Sequence, residues 1–236
     1  MENTTRQFAG EGTVRILALD QSLTNTGVCL LISAGGGAPE MVTQTLSPPL
    51  RGAQRLAWFY DWALEAMASV DLVIIEGYAY GAQNSREVMG ELGGILRMAA
   101  YKAGKPLLVS PPSCVKNFAL PTSTRKLQGK EQMMQAARDS YGLALPLKKH
   151  EHEADAAHLA ALALSFALGE VSLYPRRNAA TAQLSLQGES GECHVDMTSA
   201  AAGKSVGDRP VADRPVVPLV PRPPGRGPVV KRGVRG

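Results

Sequence analysis

Residues 16–32 read ILALDQSLTNTGVCLLI, two apolar runs joined by a turn of Ser, Thr, Asn and Gly, with Asp20 closing the first run. Apolar runs of this length bounded by turn residues predict two buried strands, 13–19 and 26–33, forming a hairpin. A second turn, GGGAP at 35–39, leads into the alternating segment 40–46. Three strands with short turns between them predict an antiparallel meander. The odd feature is the carboxylate. An aspartate at the end of a buried strand is costly unless it caps local amides, pairs or binds a cation.

Downstream of the meander the period changes. Leu56, Phe59, Tyr60, Ala63, Leu64 and Met67 recur at helical spacing across 51–70. DLVIIE at 71–76 is a short apolar strand that again closes on an acid, Glu76. Val88, Leu92, Ile95, Leu96 and Ala99 mark a helix over 84–103, although Gly90, Gly93 and Gly94 lower its intrinsic propensity. A strand at 106–110 follows, then a short helix in PPSCVKNFA with proline in its first turn. The polar, basic loop LPTSTRKLQG precedes helices at 130–141 and 151–168. A meander followed by β-α alternation predicts an α/β fold with a mixed five-stranded sheet and helices on both faces.

The 236 residues are 44% hydrophobic, enough for one domain with a substantial core. No apolar run is long enough to cross a bilayer, and residues 1–12 carry no apolar signal segment, so a leader of no fixed structure and no membrane partner are expected. The three cysteines, Cys29, Cys114 and Cys193, lack metal-ligand spacing, and reduced thiols in a cytoplasm are the expectation. The net charge of +4 is uneven. From Arg176 onward 10 basic residues face 5 acidic ones, whereas the preceding chain has 15 and 16. The reading is a domain over 13–170 and a basic, disordered Pro/Gly-rich tail over 171–236 that adds sequence-independent attraction for phosphates.

HEHEADAAHLAALAL opens the last helix. His152 and Asp155 stand at i, i+3 on one face, Glu151 lies at i, i+4 from Asp155, and His158 is one turn further on. Acids in a first helical turn commonly complement the helix dipole. Taken with Asp20 and Glu76 at two strand ends, where ligands gather in open α/β sheets, they suggest a site.

The ordered series ILALDQSLTNTGVCLLI, DLVIIEGYAYG, PPSCVKNFA, GKEQMMQAA and HEADAAHLAALAL resembles the RuvC-type Holliday-junction resolvases, particularly their phage relatives, over about residues 14–168. The resemblance implies the ribonuclease H-like fold. It also implies a homodimeric, metal-dependent crossover junction endodeoxyribonuclease of a bacterial or phage-infected cell, acting on branched DNA, the four-way junction. By the same resemblance Asp20, Glu76, His152 and Asp155 hold two Mg²⁺ ions, with Mn²⁺ able to substitute. The family often has aspartate where His152 stands, so Glu151 or Glu153 is an alternative source of the missing charge. His152 is open between ligand and general acid or base. Lys116 and Lys130 match basic residues near the scissile phosphate, Lys130 among the catalytic set.

Hydrolysis of a phosphodiester needs an activated water, charge stabilisation and leaving-group assistance, and paired hard cations held by carboxylates provide all three. Around that centre, Arg125 and Lys126 are candidate backbone contacts. Tyr78 and Tyr80 are candidates for stacking on exposed bases, and Arg86, at a helix start, for holding a phosphate. The helix containing GELGGILRMAAYKAG, rich in small residues, is the candidate dimer interface. Other readings are a flap, fork or RNA nuclease of the same fold, a non-catalytic junction binder, or an actin-like phosphotransferase. The last would need a second related domain that the sequence after Leu168 does not offer.

Overall fold

Side chains on alternate sides of one strand set the layering. In β1 (Thr13–Asp20), Ile16 and Ala18 enter one apolar cluster while Leu17 and Leu19 enter another, and all four are buried. A strand covered on both faces reads as a continuous apolar run, which is why ILAL shows no alternation. The computed structural model describes residues 12–34, 37–77, 86–122, 129–146, 150–170 and 175–186.

The meander is completed by β2 (Thr26–Ala34) and β3 (Glu40–Leu46), both pairings antiparallel. After α1 (Gly52–Ala68), β4 (Leu72–Glu76) returns parallel to β1. After α2 (Arg86–Lys102), β5 (Leu107–Ser110) lies parallel to β4. Next come α3 (Pro112–Ala119), α4 (Lys130–Tyr141) and α5 (Glu151–Leu168). One face of the sheet is covered by α1 and α2, around Phe59, Met67, Leu92 and Leu96. The other is covered chiefly by α5, with α3 and α4 beside it. Buried alanines at 154, 156, 157, 160, 163 and 167 surround α5. A helix apolar nearly all round belongs in the interior, and its short side chains let it lie close on the sheet. Among the described residues no helix is long and apolar enough to cross a membrane.

The expected fold class holds, with one extension. The sheet has six strands, ordered β3-β2-β1-β4-β5-β6. The sixth, β6 (Ser185–Leu186), pairs antiparallel with β5 and follows α6 (Pro175–Ala182). Packed structure therefore runs past the expected boundary at 170, and part of the segment read as tail belongs to the fold. Ala180 and Leu184 are buried in the α5-side core. Arg177 lies over the Phe118 ring at 5.0 Å and donates from Nε to the Phe118 carbonyl at 2.8 Å. An arginine used for packing and two buried apolar side chains give no hydrophobic period, which is why PRRNAATA does not read as a helix.

A buried histidine fastens α4 to α5. His158 is fully buried, with Nε2 at 2.9 Å from the Met133 carbonyl and Nδ1 at 3.0 Å from the Tyr141 hydroxyl. A carbonyl only accepts, so Nε2 carries the proton and Nδ1 accepts from Tyr141. Loss of solvation lowers the His158 pKa to about 4. The folded state thus refuses a proton that the unfolded chain takes up below about pH 6.5. Stability linked to His158 is intact above that pH and is lost as pH falls to about 4, by roughly 3 kcal/mol at most. Urea unfolding of wild type and His158→Gln should show the wild-type advantage shrinking between pH 7 and pH 4. A constant difference would refute the burial of a neutral imidazole.

Candidate active site

Strand register brings the first two carboxylates together. β1 and β4 run parallel with Leu19 opposite Ile75, so the next residues, Asp20 and Glu76, end neighbouring strands side by side. Gln21, itself buried, reaches across and donates from Nε2 to the main-chain carbonyl of Glu76, tying the two strand ends.

The start of α5 closes over this edge for two reasons. Gly27 pairs with Asp20 in the register of β1 and β2, and it lies directly beneath the backbone of His152. A Cβ at Gly27 would overlap the His152 carbonyl, so only glycine lets the helix sit this low. One residue along, Glu153 accepts hydrogen bonds from Thr43 Oγ1 at 3.0 Å and Thr45 Oγ1 at 2.9 Å, both on β3. With the helix seated, His152 Nδ1 lies 2.7 Å from Asp20 Oδ2.

The carboxylates repel one another in a poorly solvated space. Burial pushes the Glu76 carboxyl well above its ordinary range, and Asp20 and Asp155 push it the same way, while Lys116 opposes them. Asp155 is raised to about 7, first by burial and then by Asp20, with His152 and Lys116 opposing. The Asp20 hydrogen bond raises His152, against its own partial burial.

Lys116 is exposed on α3 yet close enough to act on both Glu76 and Asp155. Lys130, the first residue of α4, pairs at 2.5 Å with Glu151, whose Oε1 is also 3.9 Å from His152 Nε2. These contacts set the two alternative acids in different surroundings. Glu153 is turned away to β3. Glu151 stands at the rim, shared by Lys130 and His152, with its Oε2 buried and unbonded.

Among the described residues no three His, Cys, Asp or Glu side chains form a ready-made ion cage. The donor set nevertheless fits a hard divalent cation. Burial first, and then the neighbouring carboxylates, raise Glu76 and Asp155, and a bound cation would offset both costs.

The structure thus unites Asp20, Glu76, His152 and Asp155, with Lys116 and Lys130 flanking them. Tyr78, Tyr80, Arg125, Lys126 and the tail beyond 186 lie outside the described residues, and Arg86 opens α2 without a described side chain. Three contributors escape sequence reading: Gly27, Gln21 and the Glu153 clamp. Only the adjacency of Gln21 to Asp20 offered a signal. The others depend on pairings between distant segments.

No protein-family model matches this sequence, and no curated protein matches it. Solved structures do. The chain is similar to Thermus thermophilus RuvC at 22% identity and a TM-score of 0.54, over 66% of this chain and 97% of that one. It is also similar to T. thermophilus RuvC in complex with a Holliday junction substrate, at 20% identity and a TM-score of 0.56, over 73% and 99% of the two chains. A fowlpox virus resolvase solved with Holliday junction DNA aligns at 14% identity and a TM-score of 0.44, over 67% of this chain and all of that one. What the chain shares with the two T. thermophilus structures is their fold.

Proposed function

We propose that this chain is a metal-dependent endonuclease that resolves four-way DNA junctions by paired phosphodiester hydrolysis. The observation that carries this reading is the convergence of Asp20, Glu76, His152 and Asp155 from β1, β4 and α5 at one sheet end, on a RuvC-type fold. Asp20, Glu76 and Asp155 would hold two Mg²⁺ ions. Such ions supply an activated water and neutralise charge in the phosphorane-like transition state.

The chain's own groups do the rest. His152 donates through Nδ1 to Asp20, which leaves Nε2 as the ring atom that accepts a proton. Lys116 and Lys130 set positive charge beside the carboxylates, where negative charge gathers on the phosphate oxygens. Lys130 must leave Glu151 to reach a phosphate, and the exchange of one anion for another keeps its charge paired.

Paired cuts require two sites, and a homodimer built on α2 would provide them. Met98 and Tyr101 on this helix are 46% and 68% exposed, and open space surrounds the place a Cβ would occupy at Gly90 and Gly94.

The test is cleavage of end-labelled four-way junctions with Mg²⁺, set beside forks, flaps, linear duplex and structured RNA. Symmetric nicks with ligatable ends in the junction, absent in chelator, are expected. Preferential cutting of flaps, forks or RNA would replace the junction with that substrate. No cutting of any of them would end the nuclease reading.

A further inference from the structure

A second basic feature lies on the other side of the same sheet end. A cleft of about 300 Å³ is lined by Leu23, Arg51, Gly52, Arg55, Leu56 and Glu91. Topology brings it to the catalytic edge. Thr26 pairs with Leu46 in the meander, so β3 ends where β1 ends, and the chain enters α1 six residues later. Leu23 belongs to the turn that begins directly after Asp20.

The cleft is built for an anion. Arg51 and Arg55 stand one helical turn apart, and the first turn of α1 contains no acid. Arg55 is half-buried, and its Nε is anchored on the Leu50 carbonyl at 2.5 Å. That contact fixes the guanidinium plane and leaves its terminal N–H groups available. Neither arginine forms an ion pair among the described residues. Glu91, across the cleft on α2, is the one acid in the lining. The fork of a guanidinium matches a phosphodiester, and Leu23, Leu56 and the aliphatic arginine stems form apolar walls beside it.

We infer that the Arg51–Arg55 cleft binds a backbone phosphate of the DNA strand that crosses the catalytic edge, on the α1 side and away from Lys116 and Lys130. The inference rests on the proposed nuclease reading. A strand passing over the ends of β1 and β4 has α5, α4 and α3 on one flank and α1 and α2 on the other. The lysines serve the first flank and the arginine pair serves the second. Glu91 acts in the opposite sense by weakening the same phosphate contact.

The experiment measures binding of a four-way junction across a salt series, in an Asp20→Asn background that removes cleavage. Arg51→Gln with Arg55→Gln keeps both aliphatic stems. The pair should weaken binding about tenfold at 0.1 M salt and flatten the log–log salt slope by about one to two. Glu91→Gln should tighten binding about twofold, a gain that damage to the fold would not give. Unchanged affinity and slope in the arginine pair would overturn the site, as would unchanged or weaker binding by Glu91→Gln. If the Asp20→Asn parent binds no branched DNA, the junction reading itself falls and this inference falls with it.

Discussion

Replacing Asp155 with asparagine should stabilise the ion-free protein at pH 7 and above while abolishing cleavage. The raised carboxyl explains the first effect. Asp155 titrates near 7 in the folded protein, whereas an unfolded aspartate titrates near 3.9. Between those values the folded state holds a proton that the unfolded chain has released, so stability is highest on the acid side and falls as pH rises toward 7. Asparagine carries no charge to desolvate beside Asp20 and Glu76, and removes that loss. The expected gain is on the order of 2 kcal/mol at neutral pH, less at pH 4. The second effect follows because an amide is a poor partner for a hard divalent ion. A drop on the order of 10³-fold in junction cleavage is expected, comparable to removal of a main electrostatic group at a reacting centre. Thermal melts in chelator at pH 5 and pH 8, beside single-turnover cleavage, check both. Equal destabilisation at both pH values would mean that Asp155 is a structural acid.

Gly27→Ala should cost both stability and activity. The added methyl would overlap the His152 carbonyl, so either β2 bends or the start of α5 lifts. Overpacking of this kind costs about 1–3 kcal/mol. Lifting the helix also separates His152 from Asp20, and a displacement of about 1 Å at a reacting centre can cost on the order of 10²-fold in rate. Denaturant midpoints and cleavage rates should therefore fall together. Wild-type values in both would show that α5 can step back freely, and that its seating does not set the site.

The contrast between these positions shows what a sequence displays. Asp20 and Glu76 were legible because each is a charge at the end of an apolar run, and the run itself signals burial. His152 and Asp155 were legible because helical spacing puts them on one face. The helices at 130–141 and 151–168 were bounded by abrupt changes in period and matched residue for residue. Gly27 was not legible as a site residue, since glycine after a polar turn is ordinary hairpin chemistry. Its importance comes from a helix more than a hundred residues later. Glu153 was open to misreading for the same reason. In its own segment it is a first-turn acid or a spare ligand. Only the pairing of β2 with β3 brings Thr43 and Thr45 within its reach. The end of the sheet was missed because α6 is held by an arginine on a ring and two small apolar anchors.

The Glu153 clamp has an evolutionary consequence. Two hydroxyls on one strand satisfy a single carboxylate on a helix, and the three groups are worth more together than apart. Loss of either threonine leaves a carboxylate oxygen short of a donor, and loss of the acid leaves two hydroxyls facing each other. Positions 43, 45 and 153 should therefore drift as a set. An intermediate with one changed member is handicapped in seating the start of α5 beside Asp20. A lineage leaving this arrangement would more readily exchange all three for an apolar contact than pass through single replacements.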